Sequence, residues 1–78
     1  MPTLRLFAAA REAAGTGRAT IDGATVGSVL DGAVAEYGER FADVLATCRI
    51  WVNGEPAMRD DAVTPTDEVA VLPPVSGG

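Results

Sequence analysis

From Thr3 to Ala8 the chain reads TLRLFA, an alternation of period two that predicts a strand. Leu4, Leu6 and Ala8 point to one side, and Thr3, Arg5 and Phe7 to the other. The following AAREAAGTG is read as a turn, with Gly15 and Gly17 supplying backbone freedom. Arg18 to Asp22, RATID, is then a short second strand paired with the first as a hairpin. Beyond it the period changes to 3.6. Val26, Val29, Leu30, Ala33, Val34 and Tyr37 fall on one stripe, which predicts a helix from Val26 to Tyr37. Thr25 is its N-cap and Gly38 its stop. Gly27 and Gly32 weaken this helix by about 1 kcal/mol each relative to alanine, so packing must hold it.

ERFADVLA adds a short second helical piece with Phe41, Val44 and Leu45 inward. Cys48 to Asn53 is the third strand, and Asn53-Gly54 is a hairpin-turn dipeptide because both residues tolerate positive φ. Glu55 to Met58 returns as a short edge strand that Pro56 suits. RDDAVTPTD is a polar crossing, and Glu68 to Leu72 is a last strand stopped by Pro73, which has no N–H. The order β-β-α-β-β-β, with the last strand parallel to the first, predicts a two-layer α+β domain of β-grasp arrangement: a mixed sheet packed on one main helix. Residues 1–72 form this domain and residues 73–78 a flexible C-terminal tail.

Strand parity also predicts what the helix leaves uncovered. If Leu4, Leu6, Ile50, Val52, Val69 and Val71 face the helix, then Phe7, Trp51, Ala70 and Leu72 face outward beside Arg5, Arg49 and Glu68. A contiguous apolar patch on a small domain marks a contact surface, and Phe7, Trp51 and Leu72 are its candidate partner-binding residues. A slip of one residue would reverse every assignment.

Composition narrows the chemistry. Seventy-eight residues make one domain, 47% hydrophobic and 22% charged, within the globular range. The formal net charge of −5 argues against nucleic acid and anionic membranes and makes a basic protein partner the expected complement. No apolar stretch reaches the ~18 residues of a membrane span, and no signal peptide is evident, so the cytoplasm is the expected location. With one cysteine, Cys48, and no histidine, neither a disulfide nor a transition-metal site is expected. Cys48 is expected to be a packing residue, and the Asp60-Asp61 pair a solvated turn. There is no lysine, which excludes Schiff-base chemistry. A self-contained active site is hard to assemble from this inventory.

The ending VAVLPPVSGG supplies another kind of chemistry. Pro73 and Pro74 hold the chain extended after the last strand, and six residues from Pro73 reach up to roughly 20 Å. Val75, Ser76 and then Gly77 and Gly78 follow; the two glycines carry no side chains and can thread a channel too narrow for a Cβ. A carboxylate is inert toward nucleophiles, but ATP converts it to an acyl-adenylate, from which a sulfur nucleophile can displace AMP. The reactive group is then the terminus of Gly78 itself.

These residues together resemble a known family. PPVSGG, FAAAREAAGT from Phe7 to Thr16, VNGE and DEVAVLPP are similar to the MoaD/ThiS family of ubiquitin-like sulfur carriers, and within it to the small subunits of molybdopterin synthase. The similarity spans essentially the whole chain, and the tail is its most specific part. The resemblance implies that Gly78 is adenylated by a ubiquitin-activating-like adenylyltransferase (MoeB-like) that uses ATP, the carrier itself binding no cofactor. It implies a thiocarboxylate loaded by a donor such as a persulfide-bearing protein. It further implies insertion of the tail into the catalytic subunit of molybdopterin synthase (MoaE-like), in a heterotetramer, where the sulfur forms the dithiolene of molybdopterin. Phe7 and Leu72 match partner-contact positions of the family, although the Leu72 position is often aromatic there. On this reading the chain is a sulfur-donor subunit without its own active site. Carriers for cysteine or thiamine synthesis, and a ubiquitin-like modifier joined to protein lysines, are the alternatives. A non-covalent binding module using the Phe7, Trp51 and Leu72 face is a third class.

Overall fold

Leu4 and Leu6 are almost fully buried, as are Val69 and Val71, because the strands that carry them lie side by side at the centre of one sheet. The computed structural model of the chain describes residues 1–74, and Val75, Ser76, Gly77 and Gly78 lie outside the described residues. The elements are β1 (Thr3–Leu6), α1 (Ala8–Ala14), β2 (Arg18–Thr20), α2 (Val26–Tyr37), α3 (Glu39–Leu45), β3 (Arg49–Val52), β4 (Glu55–Pro56) and β5 (Glu68–Leu72). The sheet order is β2-β1-β5-β3-β4. β5 runs parallel to β1 and antiparallel to β3; β2 and β4 form antiparallel edges. This is the ubiquitin-like β-grasp fold, with a mixed five-stranded sheet and helices packing on it.

The second strand ends at Thr20 rather than Asp22 and the third spans Arg49–Val52 rather than Cys48–Asn53, and two further expectations need correction. Ala8 does not continue the first strand: its φ of 52° is left-handed, and the chain turns there into α1. The segment expected to be a turn is this seven-residue helix, closed by Gly15, whose N–H donates to the Arg11 carbonyl. Alanine is the best helix former and fills most of it, while Ala10 is buried in the core. The return strand is also shorter than expected, two residues rather than four, and Ala57 beyond it still donates its N–H to the Ile50 carbonyl.

α2 has the predicted bounds. Thr25 accepts the Ser28 N–H through its side chain, and the Ser28 hydroxyl accepts the Thr25 N–H, so two orphan donors are satisfied reciprocally. Gly27 is buried because a loop crosses it closely: its N–H donates to the Arg59 carbonyl at 2.7 Å, and a Cβ would approach that oxygen to 3.1 Å. The same loop bonds Val26 N–H to Asp61 and Val63 N–H to Ala24, which buries Val63 in the core. The polar composition of the crossing hid this residue. Gly38 ends α2 and starts α3 at φ 96°, ψ −169°, a backbone region reached essentially only by glycine. Asn53 and Gly54 both take positive φ, as the hairpin turn requires. The core joins Ala10 from α1, the apolar stripe of α2 and Phe41 of α3 to the inward face of the sheet.

A polar clamp joins the β3–β4 turn to the start of β5. The Asn53 side chain donates to Asp67 at 2.9 Å and accepts the Glu68 N–H at 2.9 Å, while the Thr64 N–H donates to Asp67 at 2.8 Å. The Thr64 N–H, and after it Asn53, hold the Asp67 carboxyl below its ordinary value. A carboxyl lowered in the folded state stabilises above its unfolded pKa, and that contribution is lost as pH falls through the folded value. The melting temperature of an Asp67→Asn variant is therefore expected to lie below that of the parent at pH 7. The gap should close as pH drops below about 4, as thermal unfolding between pH 7 and pH 2 would show.

Candidate functional site

The face of the sheet away from the helices is built by strand register. Arg18, Arg5, Ala70, Trp51 and Pro56 stand opposite one another on five successive strands, a continuous row across the sheet. Toward the end of β5 the next row pairs Leu72 with Arg49, and Phe7 follows β1 on the other side. Toward its start, Thr20, Thr3 and Glu68 form a third row. The parity reading thus has the right register. The apolar residues Phe7, Trp51, Ala70 and Leu72 lie with Arg5, Arg49 and Glu68 on the side opposite Leu4, Leu6, Val69 and Val71.

Phe7 is not a strand residue but the N-cap of α1. Its N–H donates to the Val71 carbonyl at 3.3 Å, one bond beyond the β1–β5 ladder, and Ala8 then turns the chain away. Phe7 is thereby left at the rim, 37% exposed, with the Arg5 guanidinium 5.6 Å from its ring centroid. Arg5 also reaches Glu68 at 3.5 Å. Trp51 and Leu72 are half-buried, and with Arg49 and Pro73 they line a shallow, mostly apolar depression of about 250 Å³. The first tail residues, Pro73 and Pro74, are exposed and leave from this depression. Since β5 lies between β1 and β3, the tail departs from the middle of the sheet with Phe7 on one side and Arg49 on the other.

The other singled-out residues have local duties. Cys48 lies just before β3, donates its Sγ–H to the Val44 carbonyl at 3.3 Å, and packs against the core. Burial pushes its thiol pKa up, away from the thiolate that sulfur chemistry would need. Asp61 accepts the Met58 N–H at 2.8 Å within its turn. Arg18 and Pro56 on the open face went unnoticed in the sequence. The signal was available in the hairpin register, which sets Arg18 opposite Arg5, but it needs the pairing partner of each strand to be known.

Comparison with known proteins bears on this architecture. The model of the ThiS family matches residues 4–78. The chain belongs to the ThiS family. It is a ubiquitin-like protein of the sulfur-carrier and modifier group, and its relatives divide along that line. Small archaeal modifier protein 1 of Haloferax volcanii is 38% identical over 95% of this chain and 97% of its own. A crystal structure of that protein superposes with a TM-score of 0.78 at 36% identity, covering 97% of both chains. A putative molybdopterin converting factor subunit 1 from Pyrococcus furiosus gives 0.82 at 27% identity, over 94% of this chain and 95% of that one. One chain of the crystal structure of the BexX/CysO complex from Amycolatopsis orientalis matches at a TM-score of 0.83, covering all of this chain and all of that one, and at 21% identity it shows the shared fold. Among the described residues of this ThiS-family chain, no helix is long and apolar enough to cross a membrane.

Proposed function

We propose that the chain is a sulfur carrier, the small subunit of a molybdopterin synthase, and that its reactive group is the carboxyl of Gly78. The supporting observation is the course of β5. A central strand of a ThiS-family domain runs out through Leu72 into Pro73 and Pro74, beside an open face bearing Phe7 and Trp51. A partner that covers this face receives the tail from a defined point. Val75, Ser76, Gly77 and Gly78 then extend into the partner's site, where the two glycines admit close approach of the surrounding walls.

The chemistry is as follows. The Gly78 carboxylate attacks the α-phosphorus of ATP on a ubiquitin-activating-like adenylyltransferase, and pyrophosphate leaves. Hydrosulfide displaces AMP and yields the thiocarboxylate directly. With a persulfide donor the terminal sulfur attacks instead, and a thiol then cleaves the acyl disulfide. In the catalytic subunit the thiocarboxylate sulfur attacks a carbon of the pterin precursor and displaces an oxygen substituent; water then cleaves the acyl–sulfur bond, leaving the sulfur on the precursor and the carboxylate on Gly78. This chain contributes docking and reach, and the adenylyltransferase contributes ATP binding.

A second reading, conjugation of Gly78 to protein lysines, draws on the 38% identity to a small archaeal modifier protein. One experiment addresses both. The full chain is incubated with ATP, hydrosulfide and an adenylyltransferase of this type from the same organism, and its intact mass is recorded. Exchange of one oxygen for sulfur, located at Gly78, is expected for the carrier. Adducts to lysines of other proteins that survive reducing agent would favour the modifier. An unchanged mass, with an enzyme proven on another carrier, would refute the activated terminus.

A further inference from the structure

The net charge of the chain and the charge of its open face have opposite signs. Of eleven acidic residues, the strand positions of this face hold one, Glu68; of six arginines they hold three, Arg5, Arg18 and Arg49. Arg5 and Arg18 stand directly opposite on neighbouring antiparallel strands, an arrangement that destabilises a sheet. Glu68 lies within 4 Å of Arg5, while Arg18 on β2 and Arg49 on β3 have no carboxylate that near among the described residues. Three strand spacings, about 14 Å, separate the β2 and β3 columns, and between them lie Arg5 and the apolar surface of Phe7, Ala70 and Leu72.

We propose that the adenylyltransferase docks on this face through a surface with an apolar centre flanked by aspartate or glutamate side chains, one set opposite Arg18 and another opposite Arg49. This rests on the carrier reading above and specifies its partner. The expectation of a basic partner, drawn from the total of −5, is thereby reversed for this face. The physical reason is screening. At physiological ionic strength charges are felt over about 8 Å, far less than the 28 and 31 Å breadth of the domain, so an approaching surface responds to the face it meets. Arginine suits the role, because its planar fork binds a carboxylate through two parallel hydrogen bonds. Arg49 also lines the depression from which Pro73 leaves, so pairing there fixes the tail's point of entry as well as the docking register.

The test uses the full chain and the adenylyltransferase of the same organism, with association followed by stopped-flow fluorescence of Trp51 and thiocarboxylate formation followed by mass. Association of the parent chain is expected to slow by about tenfold or more between 20 and about 300 mM salt. The double variant Arg18→Glu, Arg49→Glu is expected to associate at least about tenfold more slowly at low salt. Arg40→Glu, at an exposed position of α3, alters net charge by half as much as the double variant but off the face, and should change the rate less than about twofold. Far-UV circular dichroism establishes that each variant is folded. Equal slowing by Arg40→Glu, faster association of the double variant, or a rate insensitive to salt would overturn the acidic rim. If the parent chain acquires no sulfur at all, the carrier reading fails instead, so the two failures are separable.

Discussion

A chain lacking Gly78 is expected to lose thiocarboxylate formation by at least about 10²-fold while melting at the temperature of the full chain. The two halves of this expectation have separate causes. One residue of extended backbone spans up to about 3.6 Å, and displacing a reacting group by even 1 Å can cost about 10²-fold. The shortened chain still ends in a glycine, so terminal residue type stays the same and only reach is altered. The described core closes with Val71, and no buried residue follows it among the described ones. The measurement is a pair of intact-mass time courses with a melting curve for each chain. Normal loading of the shortened chain would mean that the activating site does not measure distance from the domain, and the proposed role of Gly78 would fall.

Phe41→Ala is expected to remove most of the stability of the domain at 25 °C. Phe41 is the largest fully buried side chain and meets the Tyr37 ring edge-on at 5.3 Å between centroids. Truncating such a residue costs about 3–5 kcal/mol, a figure that includes the loss of its ring contact with Tyr37. A single-core domain of this length has only about 5 kcal/mol in total. Phe41→Leu keeps most of the volume and should cost less than about 1.5 kcal/mol, leaving a folded protein. Urea titrations read by Trp51 fluorescence would compare the three chains. A loss under about 1 kcal/mol for the alanine variant would show that α3 does not anchor the core. Because α3 packs against both α1 and α2, its loss should loosen the segment that sets Phe7 at the rim of the open face.

How far the sequence could be read depended on how local each determinant is. The bounds of α2 follow from Thr25, Ser28 and Gly38, all within one turn of the ends they define, and the structure returns the same bounds. The Asn53-Gly54 turn and β5 are equally local, since a dipeptide with positive φ and a proline act on their immediate neighbours. α1 is hidden because Gly15 and Gly17, which follow its alanine run, read as turn residues, whereas Gly15 is the cap that closes the helix. The left-handed φ of Ala8, unusual for a residue with a Cβ, has no signature in composition. Val63 was missed because its burial comes from a loop crossing α2, a contact between residues far apart in the chain.

By itself the sequence determined the parity of each strand, the helix and its caps, and a tail that begins where Pro73 withdraws its N–H. These are short-range properties of backbone and side chain, independent of what lies across the sheet. The place of β5 between β1 and β3, from which Pro73 leaves at the centre of the sheet, follows from long-range strand pairing. Strand pairing also adds Arg18 to the Arg5 and Arg49 that parity had placed beside Trp51 and Leu72, which gives an acidic chain one face on which arginines outnumber carboxylates. The reason is that charge sums along a chain irrespective of position, whereas a partner meets charges at the distances that strand pairing imposes.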